Sequence, residues 1–203
     1  LALFLYAISF FFYAFETAFS LRNEDTKSVI DRTSTMRASR AALRLYAIAT
    51  LFLGLGVLTR GISAGRVPWG NMYEFSITGA LSFSIAFLVV GRKFDLRWLG
   101  LPISILVLLI LGTAITLLYR PSAPLVPALR STWLVVHVSA AILSGGVFLL
   151  ANFIAGTYLI LDRYEQSGER PLWLQKLPTL ESLDNLSYRL IALVFPLWTF
   201  SVI

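Results

Sequence analysis

Apolar and polar positions alternate along the chain in blocks. Six apolar segments, 1–20, 43–60, 72–91, 98–118, 132–161 and 185–203, are separated by short polar stretches. A helix needs about 20 predominantly apolar residues to cross the hydrocarbon core of a bilayer, and runs of that length read as spans rather than as amphipathic surface helices. Inside lipid each segment must satisfy its own backbone hydrogen bonds, which selects helices. The pattern therefore predicts an all-α fold: a polytopic transmembrane helical bundle of about six spans, forming a single transmembrane domain over 1–203. The fifth segment is the longest and has length to tilt or protrude. The sixth carries only 14 residues after Arg189, so it is expected to be incomplete. The chain also opens at Leu1 inside an apolar run, without the basic flank and cleavage site of a secretory signal. The sequence is thus expected to be a fragment of a longer membrane protein.

Composition agrees. The chain is 57% hydrophobic, where soluble domains hold about 45–50%. Its formal charge of +6 does not indicate nucleic acid, because the basic residues sit in short loops between spans. Arg22, Lys27, Arg32, Arg37, Arg40, Arg44, Arg92, Lys93, Arg97, Arg163, Arg170 and Lys176 fall in or beside the first, third and fifth loops; the alternate loops hold Arg60, Arg66, Arg120 and Arg130. Positive loops stay on the cytoplasmic side. The start of the first span and loops two and four are therefore expected on the extracytoplasmic side of a bacterial plasma membrane or thylakoid. There is no cysteine, which excludes disulfides, thiolate metal sites and a CxxCH haem-attachment site within these residues.

The run TWLVVHVSAAILSGG from Thr132 contains the single histidine of the chain, His137. Ionisable side chains inside spans are costly and nominate functional sites. His137 lies about five residues below the outer boundary, roughly 8 Å deep at 1.5 Å per residue. Ala140, Ala141, Ser144 and Gly145 share its helical face. Two readings compete for this face: close approach of another helix with the histidine bonding across, or space for a flat cofactor whose iron the imidazole ligates.

At the same membrane level, loop two reads GISAGRVPWGNMYEFS from Gly61. It brings Arg66, Trp69, Asn71, Tyr73 and Glu74 to the mouth of the third span. Trp69, Tyr73, Tyr119 and Trp133 also suit an ordinary interfacial aromatic belt. Arg60, Arg66, Arg120 and Arg130 suit either pairing with anionic groups such as haem propionates or solvation of the loop ends. Glu74 suits orientation of an imidazole N–H or capping of the third helix. Glu16, in the first span, is expected to snorkel and pair with Arg22 or Arg44. Low-spin haem takes two axial ligands, and the chain offers His137, Met72 and, on the opposite side, Met36. A bis-histidine haem therefore needs a histidine from outside these residues, which also disfavours a quinol-oxidising cytochrome b.

Three landmarks carry a resemblance. RVPWGNMYEFSITGALSFS resembles the outer-loop segment of the CcsA/ResC family of System II cytochrome c biogenesis (labelled CcsB in some bacteria). STWLVVHVSAAILSGGVFLLANFIAGTYLI resembles that family's histidine-bearing helix, with Trp133 four residues before His137. LESLDNLSYRLIALVFPLWTF is similar to the segment leading into its tryptophan-rich WWD region. The resemblance implies a membrane subunit that presents haem b on the outer face for thioether attachment to the CxxCH thiols of apocytochrome c, as part of a holocytochrome c synthase (haem lyase). It implies His137 as an axial ligand of the haem iron, with the WWD region and a second histidine expected shortly after Ile203. The implied partners are a second System II membrane component, apocytochrome c and a thiol-reducing thioredoxin-like protein. On the outer mouth, Arg60, Arg66 and Arg130 are the candidates for propionate contacts, and Trp69, Tyr73 and Glu74 for lining. The alternative is a haem-binding or structural transmembrane subunit of a respiratory or photosynthetic complex. A transporter coupling through Glu16 and Glu74 would require both acids to face one cavity at mid-membrane.

Overall fold

A computed structural model of the chain describes residues 1–20, 29–122, 131–168, 171, 174 and 177–202. The described residues form α-helices and one short 3-10 turn: α1 (Ala2–Ser20), α2 (Val29–Ala64), α3 (Met72–Val90), the turn Arg97–Leu99, α4 (Gly100–Thr116), α5 (Thr132–Ser167) and α6 (Leu180–Val202). The all-α expectation holds, and each predicted span lies in its own helix. Helices α1 to α5 each contain a stretch long and apolar enough to cross a membrane. The protein is an integral membrane protein of helical type.

The helices exceed the apolar segments where polar residues continue them. Helix α2 begins at Val29 rather than at 43, and α5 runs on to Ser167. At 1.5 Å per residue, each of these 36-residue helices is about 54 Å long, well beyond the ~30 Å hydrocarbon core. Hydropathy marks where lipid begins, whereas the backbone ladder continues until a stop signal. Gly168 supplies one at the end of α5, with φ of 73° in the left-handed region that favours glycine.

The chain divides into two compact units, Leu1–Arg130 and Ser131–Ile203. In the first, α1 packs on α2 and α4, and α3 packs on α4 and α2, so the four helices close a ring. Its interior sets tyrosines and small residues among larger apolar ones: Tyr6, Tyr13, Tyr46, Ala42, Ala49, Ala80 and Ala114 are buried with Phe83, Phe87, Ile103 and Leu111, whereas Phe4, Phe11, Leu51, Leu58 and Leu109 face outward. Lipid offers apolar side chains as good a surrounding as protein does. Small residues that admit close backbone approach, and hydroxyls that bond between helices, therefore take the inside. The second unit is the helical pair α5–α6.

Candidate functional site

Glu74 organises one end of the first unit. Asn71 caps α3, its side-chain oxygen accepting from the Glu74 N–H at 2.9 Å. The Glu74 carboxylate in turn accepts from the Gly70 N–H at 2.9 Å. This is a capping-box arrangement shifted by one residue, favoured because the first turn of a helix leaves N–H groups unpaired and carries positive charge. Glu74 is fully buried, and a buried carboxylate is tolerable when its oxygens are bonded and its charge matched. Arg60 Nε donates to Oε1 at 3.0 Å. Arg66 Nη1 donates to Oε2 at 2.8 Å, and its Nη2 lies 3.4 Å from Oε1. With Gly70, these four donors occupy the sites a carboxylate offers.

The arginines arrive by different routes. Arg60 stands in the last turns of α2. Gly65 closes that helix with φ of 61°; the Gly65 N–H donates to the Ile62 carbonyl at 3.1 Å and the Arg66 N–H to the Gly61 carbonyl at 3.2 Å. This pair of bonds is a Schellman motif, and it turns the chain so that Arg66 points back toward α3. Arg60 also donates through Nη2 to the Arg120 carbonyl at 2.7 Å, tying α2 to the segment that follows α4. Its guanidinium lies 5.4 Å from the centre of the Tyr73 ring, within cation–π range, and Tyr73 meets Tyr119 edge-on at 5.3 Å. Thr78 fastens the loop to the helix, donating to the Pro68 carbonyl at 3.0 Å.

Arg60, Arg66, Tyr73 and Glu74 thus form one cluster, with two positive charges against one negative. Trp69 is half-buried in the same loop. Arg130 lies outside the described residues. The Glu74 carboxylate has no acceptor site left to orient an imidazole, so between the two roles weighed for it, capping is the one the geometry displays. The Asn-x-x-Glu spacing carried that signal in the sequence. The Gly70 N–H and the Arg120 carbonyl, both backbone groups, carried none.

Glu16 lies at the opposite end. Arg22 is outside the described residues, and no ion pair joins Glu16 to Arg44, which is exposed. The charges that reach Glu16 are those of Arg97 and Asp95, and Ser39 is the hydroxyl facing it. Arg97 comes from the turn before α4, which packs on α1, a neighbour that tertiary packing adds; the expected pairing with Arg22 lies outside the described residues. Glu16 and Glu74 share no cavity, as a coupling pair would require. Asp95 and Arg97 form an exposed bidentate pair at 2.6 and 2.7 Å, and the guanidinium holds the Asp95 carboxyl below the usual aspartate range.

In the second unit, His137 is half-buried on α5, and no hydrogen bond holds its imidazole among the described residues. Ser131 caps the helix by accepting from the Trp133 N–H at 3.2 Å. On the face of His137, Ala140 and Ser144 are buried, and Ser144 returns its hydroxyl to the Ala140 carbonyl at 2.7 Å. A Cβ added at Gly145 would meet nothing within 4 Å. One turn before His137, Trp133 meets Phe200 of α6 edge-on at 5.6 Å. The histidine therefore sits among aromatic and small residues with both ring nitrogens uncommitted.

Long apolar helices, with a charge cluster at one end of the first unit, define a polytopic membrane protein. Comparison with known proteins narrows this class. The family model described as cytochrome c assembly protein matches residues 69–203. The chain is 32% identical over 179 residues to the cytochrome c biogenesis protein CcsA of Guillardia theta, covering 78% of this chain and 58% of that protein. It is 30% identical over 183 residues to CcsA of Trieres chinensis, covering 75% and 58%. With CcsA of Synechococcus sp. (strain CC9902) the identity is 29% over 183 residues, covering 78% and 60%. The chain belongs to the CcsA family of cytochrome c assembly proteins. It spans about 58–60% of the length of these relatives. No solved structure matches the chain.

Proposed function

We propose that this chain is the haem-handling part of a membrane cytochrome c biogenesis protein, and that His137 is an axial ligand to haem iron on the extracytoplasmic side. The observation that carries the reading is the state of His137: the one histidine of the chain, half-buried on α5, with no hydrogen bond to another side chain among the described residues. A histidine serving helix packing would spend a ring nitrogen on a partner across the interface. Family membership supports the same reading.

The residues present fit haem b. His137 offers an imidazole nitrogen of the kind haem iron takes, and Ala141 and Gly145 keep its helical face low. Arg60 and Arg66 bring two guanidinium groups to this mouth, donors of the kind a propionate accepts from; Arg130 is a further candidate. Trp69 and Tyr73 line the same mouth. Bound haem supplies the vinyl groups that become thioethers on the apocytochrome c CxxCH thiols. The chain's own work is to hold and orient: positioning of reactants accounts for large rate gains without acid–base chemistry. A bis-histidine haem would take its second ligand from a second chain or from sequence beyond Ile203. On this reading the Arg97 end faces the cytoplasm and the Glu74 end lies outside, supported by the basic first, third and fifth loops. The partners on this reading are apocytochrome c, a second System II membrane component and a thioredoxin-like thiol reductant.

The test is maturation in cells that depend on the full-length protein. His137→Ala is expected to abolish covalent haem in c-type cytochromes while the variant accumulates in the membrane. Normal maturation at normal protein level would remove His137 from the site.

A further inference from the structure

Away from Glu74, the interior of the first unit carries a seam of hydroxyls. Tyr6, Ser9 and Tyr13 of α1 are 0, 0 and 1% exposed, and Ser39, Tyr46 and Thr50 of α2 with Ser84 of α3 are buried beside them. The deeper part of the seam is closed by direct bonds. Tyr6 Oη lies 2.9 Å from Thr50 Oγ1 and donates to Ser84 Oγ at 3.1 Å. Tyr46 donates to the same Ser84 oxygen at 3.0 Å, and Thr50 to the Tyr46 carbonyl at 2.8 Å. Ser9 donates to the Ala42 carbonyl at 2.8 Å.

Nearest the Arg97 end these direct bonds stop. Tyr13 Oη and Ser39 Oγ are buried and lack any hydrogen-bond partner among the described residues. Glu16 follows Tyr13 by three residues on the same face of α1, with Ser39 opposite its carboxyl. That hydroxyl lies within reach of the carboxyl but makes no direct hydrogen bond of standard geometry among the described residues, and polar groups so placed are commonly bridged. An unpartnered buried hydroxyl costs about 1–3 kcal/mol, and here two of them stand together beside a carboxyl. The ligand that completes them is small and neutral: Arg97 repels a cation, and Glu16 and Asp95 repel an anion. A buried water bonds to about three polar groups, and Tyr13, Ser39 and Glu16 number three.

We propose that Glu16, Tyr13 and Ser39 form a hydrated inlet at the Arg97 end, in which water bridges the three side chains and joins Glu16 to the hydroxyl seam. The inlet ends at Tyr13, above which direct hydroxyl bonds leave no room for further water. Its chemistry is exchange of water and protons between Glu16 and the solvent on that side. It is independent of haem and of His137.

Thiol accessibility reads this directly, since the 203 residues contain no cysteine and thiol reagents require a thiolate, which forms where water reaches. In full-length protein in native membranes, with the unsubstituted protein as background, Ser39→Cys is expected to react with a small methanethiosulfonate reagent at least about tenfold faster than Ser9→Cys. Adding Tyr13→Phe to Ser39→Cys should slow that labelling. Tyr13→Phe alone should lower the melting temperature, because it removes a bonded hydroxyl; in a dry pocket it removes an unpaired one and raises it. Equal labelling at Ser39→Cys and Ser9→Cys, or a raised melting temperature for Tyr13→Phe, overturns the proposal.

Discussion

Glu74 and Glu16 are the same residue type at the two ends of one helical unit, and the protein treats them oppositely. Glu74 is fully buried and takes donors from Arg60, Arg66 and Gly70. Glu16 is half-buried, has the Ser39 hydroxyl within reach, and feels Arg97 through space. The contrast shows what a carboxylate needs in each setting. Deep burial demands that every lone pair be filled, which fixes the loop between α2 and α3 in one conformation. Partial burial at a membrane boundary leaves the remaining bonds to water and leaves the end of the helix adjustable. Fixed charge belongs to the face proposed to receive haem, and adjustable polarity to the face opposite.

The largest effect is expected on breaking the Glu74 end. Glu74→Ala leaves Arg60 and Arg66, each 13% exposed at the side chain, as uncompensated charges, a loss of about 3–5 kcal/mol. Thermal unfolding of the purified protein should show it, and Arg60→Ala should not restore it, since Arg66 remains to be matched. At the other end, Gly100→Ala is expected to cost about 1–3 kcal/mol by overpacking. A Cβ there would strike the ring of Tyr13, so the same unfolding assay should register a loss that is independent of pH. Asn71→Ala removes the cap of α3 and is expected to cost about 1 kcal/mol; hydrogen exchange in the first turn of α3 should accelerate while α4 keeps its protection.

The smallest effect belongs to Asp95. Arg97 holds its carboxyl low in the folded protein, so the pair contributes above the ordinary aspartate range and is lost as pH falls through the lowered value. Both groups are largely exposed, and exposed pairs contribute little. Asp95→Asn should therefore melt slightly below wild type at neutral pH, with the difference vanishing on acidification.

Much of the fold was legible because lipid imposes a strong rule: apolar segments of span length recur, and each became a helix. The boundaries were less so. Helix α2 continues 14 residues upstream of 43, through Arg37 and Arg40, because backbone helicity does not require apolar side chains outside the membrane. At the site, Asn71 and Glu74 were readable as a cap from their spacing. Arg60 was readable as lying at the same membrane level, but not as the partner of a residue 14 positions on. Glu16 illustrates the limit. Sequence proximity offered Arg22, outside the described residues, or Arg44, and only the packing of α1 against α4 adds Arg97 to its surroundings. The hydroxyl seam was invisible for the same reason: Tyr6, Tyr46 and Ser84 are far apart in sequence and meet only in the assembled unit.

The central claim is that His137 ligates haem iron. Its most direct test is the absorption spectrum of full-length protein purified with haem, wild type against His137→Ala at equal protein. The account predicts that the wild-type Soret and reduced α bands have the positions of a six-coordinate low-spin haem, and that the substitution removes the haem or converts it to a high-spin form. Superimposable spectra with equal haem content would contradict it.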